Sequence, residues 1–154
     1  MTGAHARLAE HALDPAAELS ELARAAHGDG AIVSFVGIAR PVSKAGAPVD
    51  SLVLEHHPRL TARSLEAIAA AAAARFDVNH VRVAHRCGVV PAGEPIVFAG
   101  ASSAHRRAAF EAADFLIDKL KTEAVFWKRE EGPSGANWIE PTEGDHADAG
   151  RWSE

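Results

Sequence analysis

The stretch SSAHRRAAFEAADFLIDKLKTEAVFWKRE, Ser102–Glu130, decides the fold, because a helix and a strand are written into it back to back. Ser102 or Ser103 can cap the helix at its start. With Ala113 at the zero of a helical wheel, Ala109, Phe110, Leu116, Ile117 and Leu120 fall within roughly 60° of it, so that face is expected to be buried. Arg106 projects within about 20° of the same direction, Lys121 about 80° from it and Lys119 roughly 120° away. Lys121 therefore borders the apolar stripe, whereas Lys119 reads as an ordinary solvent lysine. From Val125 the period changes to two, and Val125–Glu130 reads as a short strand with Phe126, Lys128 and Glu130 on one face.

A lysine at the edge of a helix and another on the strand that leaves it can converge on one anionic ligand. Each then lowers the other's pKa toward a value useful for proton transfer. Solvated surface charge is the commoner fate of lysine, and residue types alone leave both readings open.

Outward from this stretch, the chain alternates strand and helix signals. Met1–Leu13 is weakly patterned and reads as a loose or edge segment. Asp14-Pro15 supplies an N-cap and first helical residue for a helix with Leu19, Leu22, Ala23 and Ala26 on one side, stopped by Gly28-Asp29-Gly30. AIVSFVGIA, Ala31–Ala39, reads as a buried strand ending at Arg40-Pro41, where an arginine leaving the core is placed to meet a ligand or a surface carboxylate. SKAGAP, Ser43–Pro48, is a loop carrying Lys44. A strand over Val49–His57 leads to an alanine-rich helix capped by Thr61, with Leu65, Ile68, Ala72 and Phe76 inward. Val81 and Val83 alternate in a strand running to His85-Arg86-Cys87-Gly88. Pro91-Ala92-Gly93-Glu94 turns into PIVFAGAS, which delivers the chain to Ser102. Gly132–Gly135 is a turn into a strand with Trp138, Ile139 and Glu140. Two strand-helix units with additional strands define an α+β layer fold.

Composition bounds the function. The 154 residues, 47% of them hydrophobic, suit one globular domain spanning 1–154, and the four acids and one arginine after about 141 suggest a flexible, solvated tail that Trp152 ties down. A formal charge of −5 disfavours nucleic acid as a partner. No apolar run reaches transmembrane length, the N-terminus has no targeting pattern, and the lone Cys87 forms no internal disulfide, so a cytoplasmic setting is expected. Adjacent His56 and His57 face opposite ways on a strand, and with no HxH, HExxH or cysteine pair no metal site is expected. Trp127 and Trp138 read as packing or interface residues, since aromatics make up only 6% of the chain.

His105 and Arg106 fall in the first turn of their helix, where free backbone N–H groups and the helix dipole favour an anion. With Arg40, Lys121 and Lys128 they make a phosphate-sized positive set in an acidic chain. Neither GxxxxGK[ST] nor GxGxxG is present to make this a nucleotide pocket, and no GxSxG or cysteine nucleophile arrangement stands out.

Several segments together resemble the MoaE family, the large catalytic subunit of molybdopterin synthase. They are DGAIVSFVGIAR at 29–40, LVLEHHP at 52–58, HRCGVVPAGEPIVF at 85–98, SAHRRAAFEAADFLIDKLKT at 103–122 and FWKRE at 126–130, followed by NWIE. The resemblance implies an α/β-hammerhead fold with an additional antiparallel sheet. It also implies a homodimer that takes up two copies of a small ubiquitin-like, MoaD-like sulfur-carrier subunit to form a heterotetramer. The implied substrate is cyclic pyranopterin monophosphate, converted to molybdopterin by two sulfur transfers from the carrier's C-terminal thiocarboxylate, with no bound cofactor and no metal required. By the same resemblance Lys121 is the principal catalytic lysine and Lys128 the second. Arg40 and the His105-Arg106 pair bind substrate, and Arg129 and Glu130 fall in the remaining binding segment. Ile38 stands where many relatives carry a basic residue.

Overall fold

The computed structural model describes residues 3–153. Its elements in chain order are β1 (Gly3–Ala9), α1 (Pro15–Ala25), β2 (Ala31–Ile38), β3 (Ser51–His56), α2 (Pro58–Arg75), β4 (His80–Arg86), β5 (Gly88–Pro91), β6 (Pro95–Ser103), α3 (Arg106–Glu123), β7 (Phe126–Gly132), β8 (Gly135–Ile139) and α4 (Glu143–Gly150). They form two four-stranded sheets, one ordered β1-β4-β6-β2 and the other β5-β3-β7-β8. The first is mixed, with β1 parallel to β4; the second is antiparallel throughout. This is the expected α+β class.

The larger core lies between the first sheet and the paired helices α2 and α3. Leu65, Ile68 and Ala72 from α2 and Ala112, Phe115, Leu116 and Leu120 from α3 close over Val81, Val83, Ala99 and Ala101 of the sheet. Small residues at Ala69, Ala72, Ala99 and Ala101, all essentially buried, let the helices sit close to the strands. On the opposite face Leu13 and Leu22 pack with Ala84 and Phe98. A third cluster, Ala39, Leu54 and Val90, belongs to the second sheet. Phe126 packs against both the first and the third cluster, so the first residue of β7 joins the two sheets.

Of the two readings of the N-terminal segment, loose or edge, the structure shows the edge: a strand paired with β4 over Gly3–Ala9. Several other local expectations change. The apolar run in β2, read as buried, is also an edge. Ile32, Phe35, Val36 and Ile38 are each more than a third exposed, because β2 pairs only with β6. In α1 Leu22 is buried, but Leu19 is exposed. The α2 helix starts at Pro58, capped by the His57 ring accepting from the Leu60 N–H (3.1 Å); Thr61 is already inside it. Ser102 and Ser103 are the buried end of β6, and α3 starts at Arg106 with His105 as N-cap. The Ser103 hydroxyl donates to the Asp77 carbonyl (2.7 Å) and accepts from the His105 N–H (3.3 Å), so it holds the entry to the helix from outside it. Phe110, expected on the buried stripe, is exposed.

The segment after residue 141 is not a loose tail. Thr142 and Asp145 form a reciprocal capping box at the start of α4, with hydrogen bonds of 2.9 and 3.0 Å. Beyond α4, Trp152 meets Phe76 and Phe115 edge-on, with ring centroids 5.5 and 5.6 Å away, and its indole N–H donates to Asp118 (2.7 Å). Arg151 reaches the same carboxylate at 2.5 Å. No helix among the described residues is long and apolar enough to cross a membrane.

Candidate active site

Two residues, Ala124 and Val125, separate α3 from β7, and the sharp change of direction is tied down from α2. The Thr61 hydroxyl donates to the Val125 carbonyl (2.6 Å), and the Val125 N–H donates to the Ser64 hydroxyl (3.1 Å). Lys121 sits in the last turn of α3 and Lys128 is the third residue of β7. Alternation along β7 turns Phe126, Lys128 and Glu130 to the inner face and Trp127, Arg129 and Glu131 outward. The tight link therefore aims both lysines into one place.

That place is a groove of about 590 Å³ between the edge strand β2 and the second sheet, and its lining includes Phe35, Arg40, Lys44, Lys121, Lys128, Glu130 and Asp145. A smaller recess of about 80 Å³ continues inward past Lys121 and Lys128 to His85. Burial, and then the positive charge of Lys121, push the Lys128 pKa down; Asp145 opposes them. The Asp145 carboxylate is held low by the Thr142 N–H, with Lys121 and Lys44 adding attraction. His85 is fully buried, and desolvation lowers its pKa to about 3, with Lys128 and Lys121 acting in the same direction.

Charge pairing separates these cations from the structural ones. Arg7 and Arg82 pair with the buried Glu18, Arg86 with Glu94, Lys119 with Glu123, and Arg151 with Asp114 and Asp118. Arg129 is also committed. It binds Glu55 and Glu131 and lies 5.4 Å over the Trp138 ring, on the face of β7 opposite Lys128. Arg129, expected in the binding segment, thus belongs to an outward ion cluster and not to the lining of this groove, because side chains alternate along the strand, whereas Glu130 does line it. Among the described residues, no carboxylate lies within salt-bridge distance of Arg40, Arg106, Lys121 or Lys128.

His105 and Arg106 lie elsewhere. They line a second concavity of about 560 Å³ with Gly30, Arg107, Phe110 and Glu111, at the opposite end of α3. Gly30 is required there, since a Cβ at that position would stand 2.3 Å from the Ala104 carbonyl oxygen. Since α3 is unbroken from Arg106 to Glu123, its rise of about 1.5 Å per residue puts the Arg106 and Lys121 backbones about 22 Å apart. One chain therefore brings Arg40, Lys121, Lys128 and Glu130 together and leaves His105-Arg106 apart.

Sequence reasoning missed Phe35 and Asp145 in the groove and His85 in the recess beneath it. For His85 a signal existed. It continues the alternating row Val81-Val83-His85, which places an imidazole on the core face of β4. Among the described residues no group of three or more histidine, cysteine, aspartate and glutamate side chains is arranged to hold a metal ion.

A two-sheet α+β domain with a groove lined by Arg40, Lys44, Lys121 and the partly buried Lys128 defines the class. Within that class the chain belongs to the MoaE family, whose model, described as MoaE protein, matches residues 8–123. The chain is 44% identical over 148 residues to the molybdopterin synthase catalytic subunit of Pseudomonas aeruginosa, covering 96% of this chain and 98% of that one. The MoaE molybdopterin biosynthesis protein of Burkholderia ambifaria superposes with a TM-score of 0.80 at 35% identity, covering 99% of this chain and 98% of that one. A second similar structure, a complex of subunits 1 and 2 of the molybdopterin-converting factor of Helicobacter pylori, shares the fold. Its TM-score is 0.71 at 23% identity, with 90% of each chain covered.

Proposed function

We infer that this chain is the catalytic subunit of a molybdopterin synthase, a sulfurtransferase that converts cyclic pyranopterin monophosphate to molybdopterin. The observation that carries the reading is the convergence of Lys121 and Lys128, unpaired and on adjoining elements, in a groove of a MoaE-family chain. The sulfur donor is the C-terminal thiocarboxylate of a small ubiquitin-like carrier. That partner is in keeping with the two-subunit complex formed by the similar Helicobacter pylori protein.

The residue types suit this chemistry. A thiocarboxylate brings its own nucleophilic sulfur, so the chain supplies no serine or cysteine nucleophile. It must hold two anions together, protonate leaving oxygens and assist release of the carrier as a carboxylate. In this proposal Lys121 contacts the carrier terminus and transfers protons. Lys128, with its proton loosened by burial, stabilises charge in the transition state and can also give up a proton. Arg40 binds the substrate's phosphate or pterin, with Glu130 beside it. The sulfur comes from the carrier, so the proposed reaction needs no metal or bound cofactor.

His105 and Arg106 enter through a second copy of the chain. The exposed apolar edge of β2 supports self-association, because a strand paired on one side only and carrying Ile32, Val36 and Ile38 is stabilised by cover. A two-fold pair lets the His105-Arg106 concavity of one chain complete the lysine groove of the other, and two carriers then give a heterotetramer. Cytoplasmic placement belongs to the same reading and agrees with a single, buried, unpaired Cys87. Reconstitution with thiocarboxylated carrier and cyclic pyranopterin monophosphate tests the whole reading; absence of molybdopterin under saturating conditions overturns it.

A further inference from the structure

His85 is a buried histidine beneath the lysine pair, and its surroundings fix what its ring can do. Its Nδ1 lies 2.9 Å from the carbonyl oxygen of Arg86. A carbonyl only accepts, so Nδ1 carries the proton and Nε2 is left with a bare lone pair. The ring stacks on Phe126 with centroids 4.3 Å apart and planes 28° from parallel, which fixes its plane. Nδ1 faces the strand's own backbone, so the distal edge carrying Nε2 is what reaches the recess shared with Lys121 and Lys128. Among the described residues nothing hydrogen-bonds Nε2.

We propose that His85 is a positioning residue for Lys128, accepting a hydrogen bond from its ammonium group through Nε2 and so fixing the direction of that group during sulfur transfer. This rests on the lysine groove being the sulfur-transfer site. A neutral acceptor suits the task better than a carboxylate. A carboxylate beneath Lys128 would tighten its hold on the proton strongly, whereas a neutral imidazole orients the group with a smaller pull on the proton. The charged groups that face the ring are Lys121 from α3 and Lys128 from β7. From β2 and β6 it meets Phe35, Gly37, Ile96 and Val97, and the Arg86 guanidinium on its own strand is turned to Glu94. Burial lowers the ring's pKa to about 3, so it is neutral at pH 7.

The direct test is 15N NMR of the histidine side chains in the complex with thiocarboxylated carrier, for the wild-type chain and for Lys128→Met. The expected result is a protonated Nδ1 and a bare Nε2 whose resonance moves toward the free lone-pair position in Lys128→Met. A protonated Nε2, or an Nε2 resonance indifferent to Lys128→Met, overturns the proposal. The kinetic test compares His85→Phe, which keeps the stack on Phe126, with His85→Gln, which restores a distal acceptor. Misdirection of one catalytic group lowers kcat on the order of 10- to 100-fold. His85→Phe should lose that much with KM little changed, with a displaced pH-rate profile, and His85→Gln should recover most of it. Full activity in His85→Phe, or equal loss in both variants, overturns the proposal. If His85→Phe does not fold, the NMR result decides. Unimpaired product formation by Lys121→Ala and Lys128→Ala would instead overturn the assignment of the groove, a failure separate from that of the His85 contact.

Discussion

Lys128 on β7 and Lys121 on the last turn of α3 face the same groove, and the charge of Lys121 adds to burial in pushing the Lys128 pKa down. Holding two such groups together costs folding energy, and the sign of that cost is testable. The unfolded chain keeps the Lys128 proton up to the ordinary lysine value of 10.5, whereas the folded chain releases it earlier. Stability from this group is therefore gained as pH rises from the depressed folded value toward 10.5. At neutral pH both states are charged, and the folded state bears the whole cost.

Lys128→Met should accordingly stabilise the protein at pH 7 while removing most activity. A gain of about 1 kcal/mol corresponds to roughly 2–4 °C in a domain of this size. Thermal melts at pH 7 and near pH 10 check it. The variant's advantage should shrink at the higher pH, and an unchanged or lower Tm at pH 7 contradicts the account.

Trp152→Ala should destabilise by about 2–4 kcal/mol, because it removes an aromatic packed edge-on against Phe76 and Phe115 and strips Asp118 of an indole donor. Trp152→Phe should lose less. Urea unfolding measures both, and a Trp152→Ala midpoint equal to wild type would return the end of the chain to the status of a loose tail.

The thiol plays no part in the proposed chemistry. Cys87 is buried and its pKa is raised by that burial, which keeps it protonated and inert. Cys87→Ser should form product at close to the wild-type rate. A protein-bound persulfide that disappears together with turnover in this variant would sink the carrier-only route for sulfur.

Two chains should be needed for one site. Arg106→Ala and Lys121→Ala homodimers should both be inactive. Mixed chains, with exchange confirmed by mass spectrometry, should regain activity through one intact site and one doubly damaged site. Confirmed heterodimers with no recovery, in variants that still bind the carrier, contradict a site shared across the two-fold axis.

The elements that build the groove were legible because their periodicity is unambiguous. The switch from a 3.6-residue to a two-residue period at Val125 places Lys121 on a helix border and Lys128 beside Phe126 on the inward face. Where sequence reading erred, a third coordinate was missing. A wheel gives direction around α3 but no position along it, so Phe110, at the end near the His105 concavity, passed for core. An apolar run tells that β2 is a strand, but its exposure depends on a sheet order that only pairing reveals. Ser103 looked like a cap because its hydroxyl does serve the helix entry, though from two residues before the N-cap. Arg129 matched a binding segment, yet Glu55, its partner, lies 74 residues away on β3. His85 was hidden in an apolar row, where a buried histidine is ordinarily structural.

The central claim is that the lysine pair performs sulfur transfer, and the most direct measurement is molybdopterin formed from cyclic pyranopterin monophosphate at saturating thiocarboxylated carrier. Wild type, Lys121→Ala and Lys119→Ala are compared. Lys119 is tied to Glu123 one helical turn away at 2.9 Å, so its loss should cost only a few tenths of a kcal/mol and leave activity near wild type. Lys121→Ala should still fold and bind the carrier but lose on the order of 100-fold or more in product formation, as expected for a positioned proton-transfer group. Near-wild-type product formation by Lys121→Ala, with carrier binding intact, would contradict the account.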